Sequence, residues 1–313
     1  MIELVVLALL SADPPAAADA TGRASSIRAQ ARAALGGEAA LASVNAVSLQ
    51  GHFHRMPPPP PDGGGPGEAA GPRPSRAPFA REAEGDLDVE IALPDKMRVE
   101  ASVSRAGAPS FTMITGLSGA QAFMGTEGAP GFGRGARPEN ESAGPAGGRR
   151  PSEEERRAAL GRRMQGELDR MRLGLFADAG EGASLTYAGQ AESPDGRADV
   201  LDVATTSGSK ARLFLDAATH LPLMVTYQET MPSRRFRRPP SADGAEPTPE
   251  VAPSPVTPRT VEGTLFFSDR RAVNGVQLPF RISRAVDGKV VDEWEITRWR
   301  VNPTLKPERF EKQ

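Results

Sequence analysis

The chain has 313 residues, a formal net charge of -2, 33 glycines, 30 prolines and no cysteine. The lack of cysteine excludes disulfides, cysteine metal sites and a lipid-modified N-terminal cysteine, and the near-neutral charge argues against nucleic acid as a partner. No internal apolar run reaches the roughly 18 residues that a membrane helix needs.

The first residues have the pattern of a targeting segment. Residues 1–10 are almost wholly apolar, and a run of small residues follows them. This pattern is typical of a secretory signal peptide, with cleavage after Ala18 or Ala20. Glu3 stands where such a peptide normally carries a positive charge, and a short buried helix or strand is the alternative. We predict a signal peptide over residues 1–20 and a periplasmic or otherwise exported protein.

Helical spacing of apolar residues predicts helices over residues 25–35, 38–42 and 153–176. Ser152 with Glu155 three residues later forms a capping box that starts the longest helix. One side of that helix is apolar and the other is rich in Arg and Glu, so one side is predicted to pack on a sheet. The apolar stripe consists of Leu160, Met164, Leu168, Met171 and Leu175.

Alternation of apolar and polar residues predicts about a dozen strands in an antiparallel sheet. The clearest stretch is a meander over residues 197–228, where short turns separate three strand patterns. Asn274-Gly275 and Asp287-Gly288 mark tight hairpins nearer the C-terminus. The predicted strands are 44–53, 86–93, 96–103, 111–117, 121–124, 185–191, 198–205, 210–216, 221–228, 261–271, 276–283 and 289–301.

Three segments rich in proline and glycine interrupt this pattern, at residues 56–78, 125–151 and 231–259. Such compositions bury too little apolar surface to offset the entropy lost on ordering, so we predict flexible inserts. The rest of the chain, over residues 21–313, is predicted to be one domain. Antiparallel strands with helices beside them indicate an α+β fold with a strongly curved sheet or partial barrel.

Short motifs lie along the ordered parts of the chain: ALGGE at 34–38, LPDKMR at 93–98, LD and THLPL within 215–223, NGVQLPF at 274–280 and VNP at 301–303. Their order and spacing resemble the exported outer-membrane lipoprotein-sorting, or LolA-like, family. The resemblance implies an open antiparallel half-barrel of about 11–12 strands, with helices packed across its concave face and an apolar cavity that takes acyl chains. The inserts and the aromatic content of 5% depart from the family's carriers.

The resemblance and the strand alternation together suggest a cavity wall in the C-terminal half. Alternation fixes only that neighbours point oppositely, so Phe266 and Trp294 could equally lie on the outer face. In most proteins such residues form a closed core, and the sequence leaves the core and the cavity wall both open. The candidate cavity residues are Leu213, Leu215, Leu223, Val225, Phe266, Phe280, Ile282, Trp294 and Ile296.

Residues for catalysis or metal binding are sparse. His52 and His54 share a strand face, but no cysteine and no nearby carboxylate completes a metal site. Glu293 and Glu295 alternate with apolar residues and are predicted to face solvent, whereas Asp292 is on the other side near a turn. Because no activated nucleophile is apparent, we predict no catalytic residues, no metal, no cofactor and no enzymatic activity.

Two motifs fall within the inserts. Residues 131–135 (GFGRG) lack the strand–turn–helix context of a phosphate loop and are predicted to be an ordinary flexible loop. The second motif is a basic run that either is a solvated loop or contacts anionic lipid headgroups or an acidic partner. It comprises Arg234, Arg235, Arg237 and Arg238 around Phe236.

Two functions of different classes fit the sequence. The leading one is a non-enzymatic exported carrier or binding protein that holds a lipid or the acyl chain of a lipoprotein, with release by opening of a helical lid. The alternative is an envelope-stress sensor or regulatory module on the same fold, which would act through an envelope protein partner. We predict a monomer that binds no nucleic acid.

Overall fold

The computed structural model describes residues 8–9, 17–56, 82–105, 108–128, 152–194, 196–231 and 259–311. Within these ranges the helices are α1 (Ala17–Ala34), α2 (Glu38–Ala42) and α3 (Glu153–Phe176), with a 3₁₀ turn at Pro307–Phe310. The strands are β1 (Ala8–Leu9), β2 (Ala46–Arg55), β3 (Ala83–Ala92), β4 (Lys96–Arg105), β5 (Ala108–Ser118), β6 (Gln121–Glu127), β7 (Ser184–Ser193), β8 (Gly196–Ala204), β9 (Lys210–Asp216), β10 (Pro222–Met231), β11 (Arg259–Val273), β12 (Val276–Val286) and β13 (Lys289–Val301).

The strands form one antiparallel sheet in the order β1-β7-β8-β9-β10-β11-β12-β13-β2-β3-β4-β5-β6. The pairing of β13 with β2 joins the two ends of the chain near the middle of the sheet. β1 and β6 are its two edges, so the curved sheet is not closed into a barrel. α3 lies across one face, called here the concave face, and contacts both β4–β6 and β9–β12. The predicted α+β fold, a curved antiparallel sheet with helices across it, is confirmed.

Turn chemistry explains the hairpins. Asn274 and Gly275 have φ values of 49° and 82°, and Asp287 and Gly288 have φ values of 45° and 74°. A two-residue hairpin with a type I′ turn needs this left-handed backbone at both central positions, and Asn-Gly and Asp-Gly tolerate it best. The twelve predicted strands correspond to β2–β13, and α3 has the predicted bounds with its capping box formed.

The first helix is longer than predicted. α1 begins at Ala17 rather than at residue 25, because the alanine-rich turns before Ser25 also favour helix and bury Ala20 and Ala24. Ala18 and Ala20, after which cleavage is predicted, lie at the start of α1. Most of the apolar segment before them lies outside the described residues, so the signal peptide stays a prediction. No helix in the described part of the chain is long and apolar enough to cross a membrane.

Apolar side chains form a separate cluster on each face of the sheet. The larger cluster fills the space between the helices and the concave face. The smaller one lies on the opposite, outer face around Phe214 and Met224. The register explains the division, because directly opposed residues share a face: Leu213 lies opposite Val225 on the concave side, and Phe214 lies opposite Met224 on the outer side.

The segments predicted as inserts attach at one end of the sheet. They follow β2, β6 and β10, and the antiparallel register places the last residues of these three strands on the same side. Residues 57–81, 129–151 and 232–258 lie outside the described residues, so their predicted flexibility stays a prediction. Residues 125–127, assigned to the second insert, instead continue β6.

Candidate functional site

The concave face carries an apolar row that crosses four strands. Phe267, Ile282, Trp294 and Phe53 lie opposite one another on β11, β12, β13 and β2. All four belong to the main core cluster or pack against it. A wall that receives an apolar ligand needs a continuous surface of this kind.

A second row lies nearer the end of the sheet where the inserts attach, and it changes from apolar to charged. From β8 to β2 its members are Leu201, Leu213, Val225, Leu265, Arg284, Asp292 and Arg55. The concave face therefore has an apolar floor and a charged margin on β12, β13 and β2.

Arg284 is the centre of the charged margin. Its guanidinium donates to Tyr227 Oη at 3.1 Å and to the Glu229 carboxylate. Burial opposes the charge of Arg284, but Tyr227 and the carboxylates around it raise its pKa above the ordinary value. Asp292 accepts from Arg55 Nη2 at 2.9 Å, yet burial still raises the pKa of its carboxyl. These pairs keep charged groups next to an apolar floor without leaving the charges isolated.

Seven of the nine predicted cavity residues lie together on this face. Leu213, Leu215, Val225, Ile282 and Ile296 are buried in the main cluster, and Phe280 and Trp294 are partly buried against it. In this structure they pack together as core under the helices.

Leu223 and Phe266 do not join the other seven. A β-bulge between Pro222 and Met224 breaks the alternation of β10, and the Leu223 side chain is left 39% exposed. This corrects the placement predicted for Leu223. Phe266 packs against the outer cluster of Phe214 and Met224, which is one of the two placements that alternation allowed.

Phe266 contributes instead to a groove of about 770 Å³ on the outer face. Phe214 and Met224 give this groove an apolar floor, and Thr226 and Thr264 add polar rims. None of the other eight predicted cavity residues lines it. The nine residues are therefore divided between two faces of one sheet.

α3 covers the concave face through the predicted apolar stripe. Met164, Leu168, Met171 and Leu175 are buried, and Leu160 is partly buried. Arg170 lies on the same helix with its guanidinium 3.9 Å from the centroid of the Tyr227 ring. Asp169 accepts from Ser207 Oγ at 2.6 Å and so connects α3 to the turn between β8 and β9.

Three arginines hold the C-terminal end of α3. Arg270, Arg32 and Arg28 donate, in that order, to the carbonyl oxygens of Gly174, Phe176 and Ala177 over 2.7, 3.1 and 3.0 Å. Cations favour the negative end of a helix dipole. Arg270 has no carboxylate partner among the described residues, and burial lowers its pKa to about 10. These arginines have no local sequence signal, because their partners are backbone carbonyls far away in sequence.

The surroundings of the two histidines differ from the prediction. Asp86 Oδ1 lies 2.9 Å from His52 Nδ1, and Glu82 Oε1 lies 2.8 Å from His54 Nε2. The expectation of no nearby carboxylate was wrong, because β3 pairs with β2 and brings its acidic residues alongside. Within the described ranges, no group of three His, Cys, Asp or Glu side chains is placed to hold a metal ion.

The three acidic side chains of β13 differ in their exposure to solvent. Glu295 is exposed and pairs with Arg281 at 2.8 Å, Glu293 is partly buried, and Asp292 is 7% exposed on the concave side. The motifs at 131–135 and 234–238 lie outside the described residues.

Comparison with solved structures finds several with a similar fold, of which two are described here. One is LolA superfamily protein NE2245 from Nitrosomonas europaea, with 12% identity, a TM-score of 0.41, and coverage of 92% of this chain and 97% of that one. The other is a DUF1329 family protein from Desulfovibrio piger, with 9% identity and the same TM-score and coverage. No protein-family model and no curated protein matches the chain.

Proposed function

We propose that this chain is a non-enzymatic exported carrier or binding protein that holds a lipid, or the acyl chain of a lipoprotein, between α3 and the concave face. The proposal rests on one observation. Side chains from β9, β10, β12 and β13 form one apolar face, and the amphipathic helix α3 covers part of that face. A helix that is apolar on one side and charged on the other can leave such a face and remain soluble.

The energy of binding would come from burial of the ligand's methylene groups, at about 0.8 kcal/mol each. The ligand would replace contacts that α3 now makes with the sheet. Met164 and Met171 lie in that contact. Methionine is unbranched and flexible, so it can adapt its packing from the closed arrangement to a ligand-bound one.

The two ends of α3 differ in how many contacts hold them, which supports an opening in which the helix rotates about its C-terminal end. The last carbonyls are held by Arg270, Arg32 and Arg28, whereas the first two turns are exposed. In the proposed opening α3 turns about its C-terminal end. The hydrogen bond between Asp169 and Ser207 and the contact of Arg170 with Tyr227 break as it does so.

Phe280→Glu tests the site. The change places a carboxylate at a partly buried position of the concave face, next to Arg271, whose guanidinium lies 4.4 Å from the ring centroid. Because Arg271 can pair with the new carboxylate, the fold should survive while a charge enters the apolar site. We expect at least about tenfold weaker binding of a fluorescent fatty acid in a titration run beside a thermal melt.

Leu223→Glu is the matched control, since Leu223 lies on β10, two strands from Phe280 in the same sheet, and its side chain is exposed. It should bind the probe like the wild type. A folded Phe280→Glu protein that binds as tightly as Leu223→Glu would remove Phe280 from the site. If Phe280→Glu does not fold, Phe280→Ser serves in its place. Mass spectrometry of an organic extract of the purified protein would identify the cargo, and a stable protein partner with no lipid would favour the sensor function instead.

A further inference from the structure

A separate polar cavity lies on the outer face beneath the C-terminal tail, residues 302–311. Asn302 turns the chain back after β13, and its side-chain oxygen accepts from the backbone N–H of Asn45 at 2.7 Å. At the other end of the tail, Phe310 is 3% exposed in the 3₁₀ turn. The tail is fixed at both ends and lines a partly open cavity of about 340 Å³.

The floor of this cavity is a row of polar side chains on three adjacent strands. Arg300 of β13, Ser48 of β2 and Glu90 of β3 lie directly opposite one another. Lys306 and Arg309 of the tail complete the polar lining. The row follows from the strand register, since opposed residues in antiparallel strands share a face.

Part of the charge in and beside the cavity is balanced internally. Arg309 lies 3.1 Å from a Glu90 oxygen and 3.4 Å from a Glu100 oxygen. Arg98 Nη1 donates to the same Glu100 oxygen at 2.6 Å. Two guanidinium groups and two carboxylates thus neutralise one another at the inner side of the cavity.

Two cations and one carboxylate oxygen of this cavity have no partner among the described residues. The side chains of Arg300 and Lys306 make no hydrogen bond and no ion pair with another described residue. The Glu90 side chain is 8% exposed, and its Oε2 has no hydrogen-bond partner among the described residues. Burial also raises the pKa of this carboxyl. A buried acceptor without a donor is unfavourable and rare, so a donor from outside the chain would satisfy it.

We propose that this cavity binds a small zwitterion that carries a phosphate and an ammonium group. The phosphate would contact Arg300 and Lys306, whose two charges match a phosphomonoester, and the Ser48 hydroxyl could donate to it. The ammonium would donate to Glu90. The same pairing of a phosphate with an ammonium group occurs in free phosphoamines and, with a singly charged phosphodiester in place of the monoester, in the headgroup of an amine-bearing phospholipid. The site lies on the outer face and is independent of the acyl-chain function.

The test is calorimetric titration of the full chain with O-phosphoethanolamine, inorganic phosphate and ethanolamine. Phosphoethanolamine should bind at least about tenfold more tightly than phosphate, which lacks a donor for Glu90, and more tightly than ethanolamine, which lacks the phosphate for Arg300 and Lys306. Glu90→Gln should bring the two affinities together. Arg300→Gln and Lys306→Gln should each weaken both ligands about tenfold. Arg298→Gln is the control: it lies on the same strand, is exposed, and does not line the cavity.

Absence of phosphoethanolamine binding at millimolar concentration would overturn the proposal. An equal loss of affinity in Arg298→Gln and Lys306→Gln would also overturn it. If a thermal melt shows that Glu90→Gln is unfolded, the exposed Lys306 decides the outcome alone. Sedimentation with phosphatidylethanolamine vesicles separates the two sources. Release of vesicle-bound protein by phosphoethanolamine assigns a lipid headgroup, whereas binding of the free compound without vesicle binding assigns a soluble ligand.

Discussion

Gly174 sets how closely α3 approaches the sheet. A Cβ added at this position would lie 2.0 Å from the ring of Phe267. The same residue offers its carbonyl oxygen to Arg270 at 2.7 Å. A glycine inside a helix lowers its stability, so the close contact with the sheet must compensate.

Gly174→Ala should therefore destabilise the fold by about 1–3 kcal/mol, because overpacking against the buried ring exceeds the gain of about 1 kcal/mol in helix propensity. Gly161→Ala in the same helix is the control. Its added Cβ would lie 3.4 Å from the Ala120 oxygen, an ordinary contact, so it should be neutral or stabilising by up to about 1 kcal/mol. Urea unfolding measures both, and a Gly174→Ala protein as stable as Gly161→Ala would contradict this packing.

Asp178 provides a pH-dependent contribution next to α3. It accepts from Arg172 Nη2 at 2.5 Å and from the Gly180 backbone N–H at 3.0 Å. Burial opposes its charge, but these donors and the nearby Arg28 hold the pKa of Asp178 below its ordinary value. Because the pKa is lower in the folded state, the ionised carboxylate stabilises the fold above about pH 4. That stabilisation is lost as the pH falls through the folded-state pKa.

Asp178→Asn should lower the free energy of unfolding by about 1–2 kcal/mol at pH 7, after discounting for solvent screening. The difference from wild type should shrink toward pH 3. Asp202→Asn is the control, because Asp202 and Arg212 form an ion pair in which both side chains are 45% exposed. It should change stability by less than about 0.5 kcal/mol at either pH. If Asp178→Asn lowers the free energy of unfolding by the same amount at pH 7 and pH 3, the ionised Asp178 carboxylate is not the source of the stabilisation.

At the scale of elements, α3 was predictable because its signals are local. The Ser152–Glu155 capping box fixes its start, and the spacing of Met164, Leu168 and Met171 gives its buried side. Its anchors were not predictable. Arg270 binds carbonyls of Gly174, Pro222 and Gln277, and such contacts exist only once distant elements have packed.

β10 shows a different limit of sequence analysis. Strict alternation would place Leu223 with Val225, but the bulge after Pro222 moves Leu223 away from the concave face. A bulge adds one residue to a strand and shifts the facing of the residues beside it. Met224 is also buried, on the outer side of the sheet. Because both faces of β10 carry buried apolar side chains, the alternation of apolar and polar residues does not show which face is concave.

At the scale of the whole molecule, the register of two meanders, β7–β13 and β2–β6, explains most of the arrangement. Pairing of β13 with β2 places the two halves of the sheet side by side, and α3 contacts both of them. The same pairing aligns the rows that form the concave face and the cavity beneath the tail. His52 and Asp86 likewise become neighbours only through strand pairing. The sequence supported the fold class, but it could not supply these cross-strand neighbours.

The proposed function requires α3 to leave the concave face when ligand enters. The chain has no cysteine, so an engineered pair reacts alone. Asp169→Cys with Ser207→Cys places thiols at the two residues that the 2.6 Å hydrogen bond joins, so that a disulfide, verified by mass spectrometry, ties α3 to the β8–β9 turn. Fluorescent fatty-acid titration compares the oxidised and reduced forms, with the single variant Asp169→Cys as control. The oxidised pair should bind at least about tenfold more weakly and recover on reduction, because the open state is no longer populated. Equal binding by the oxidised and reduced pair would contradict this requirement.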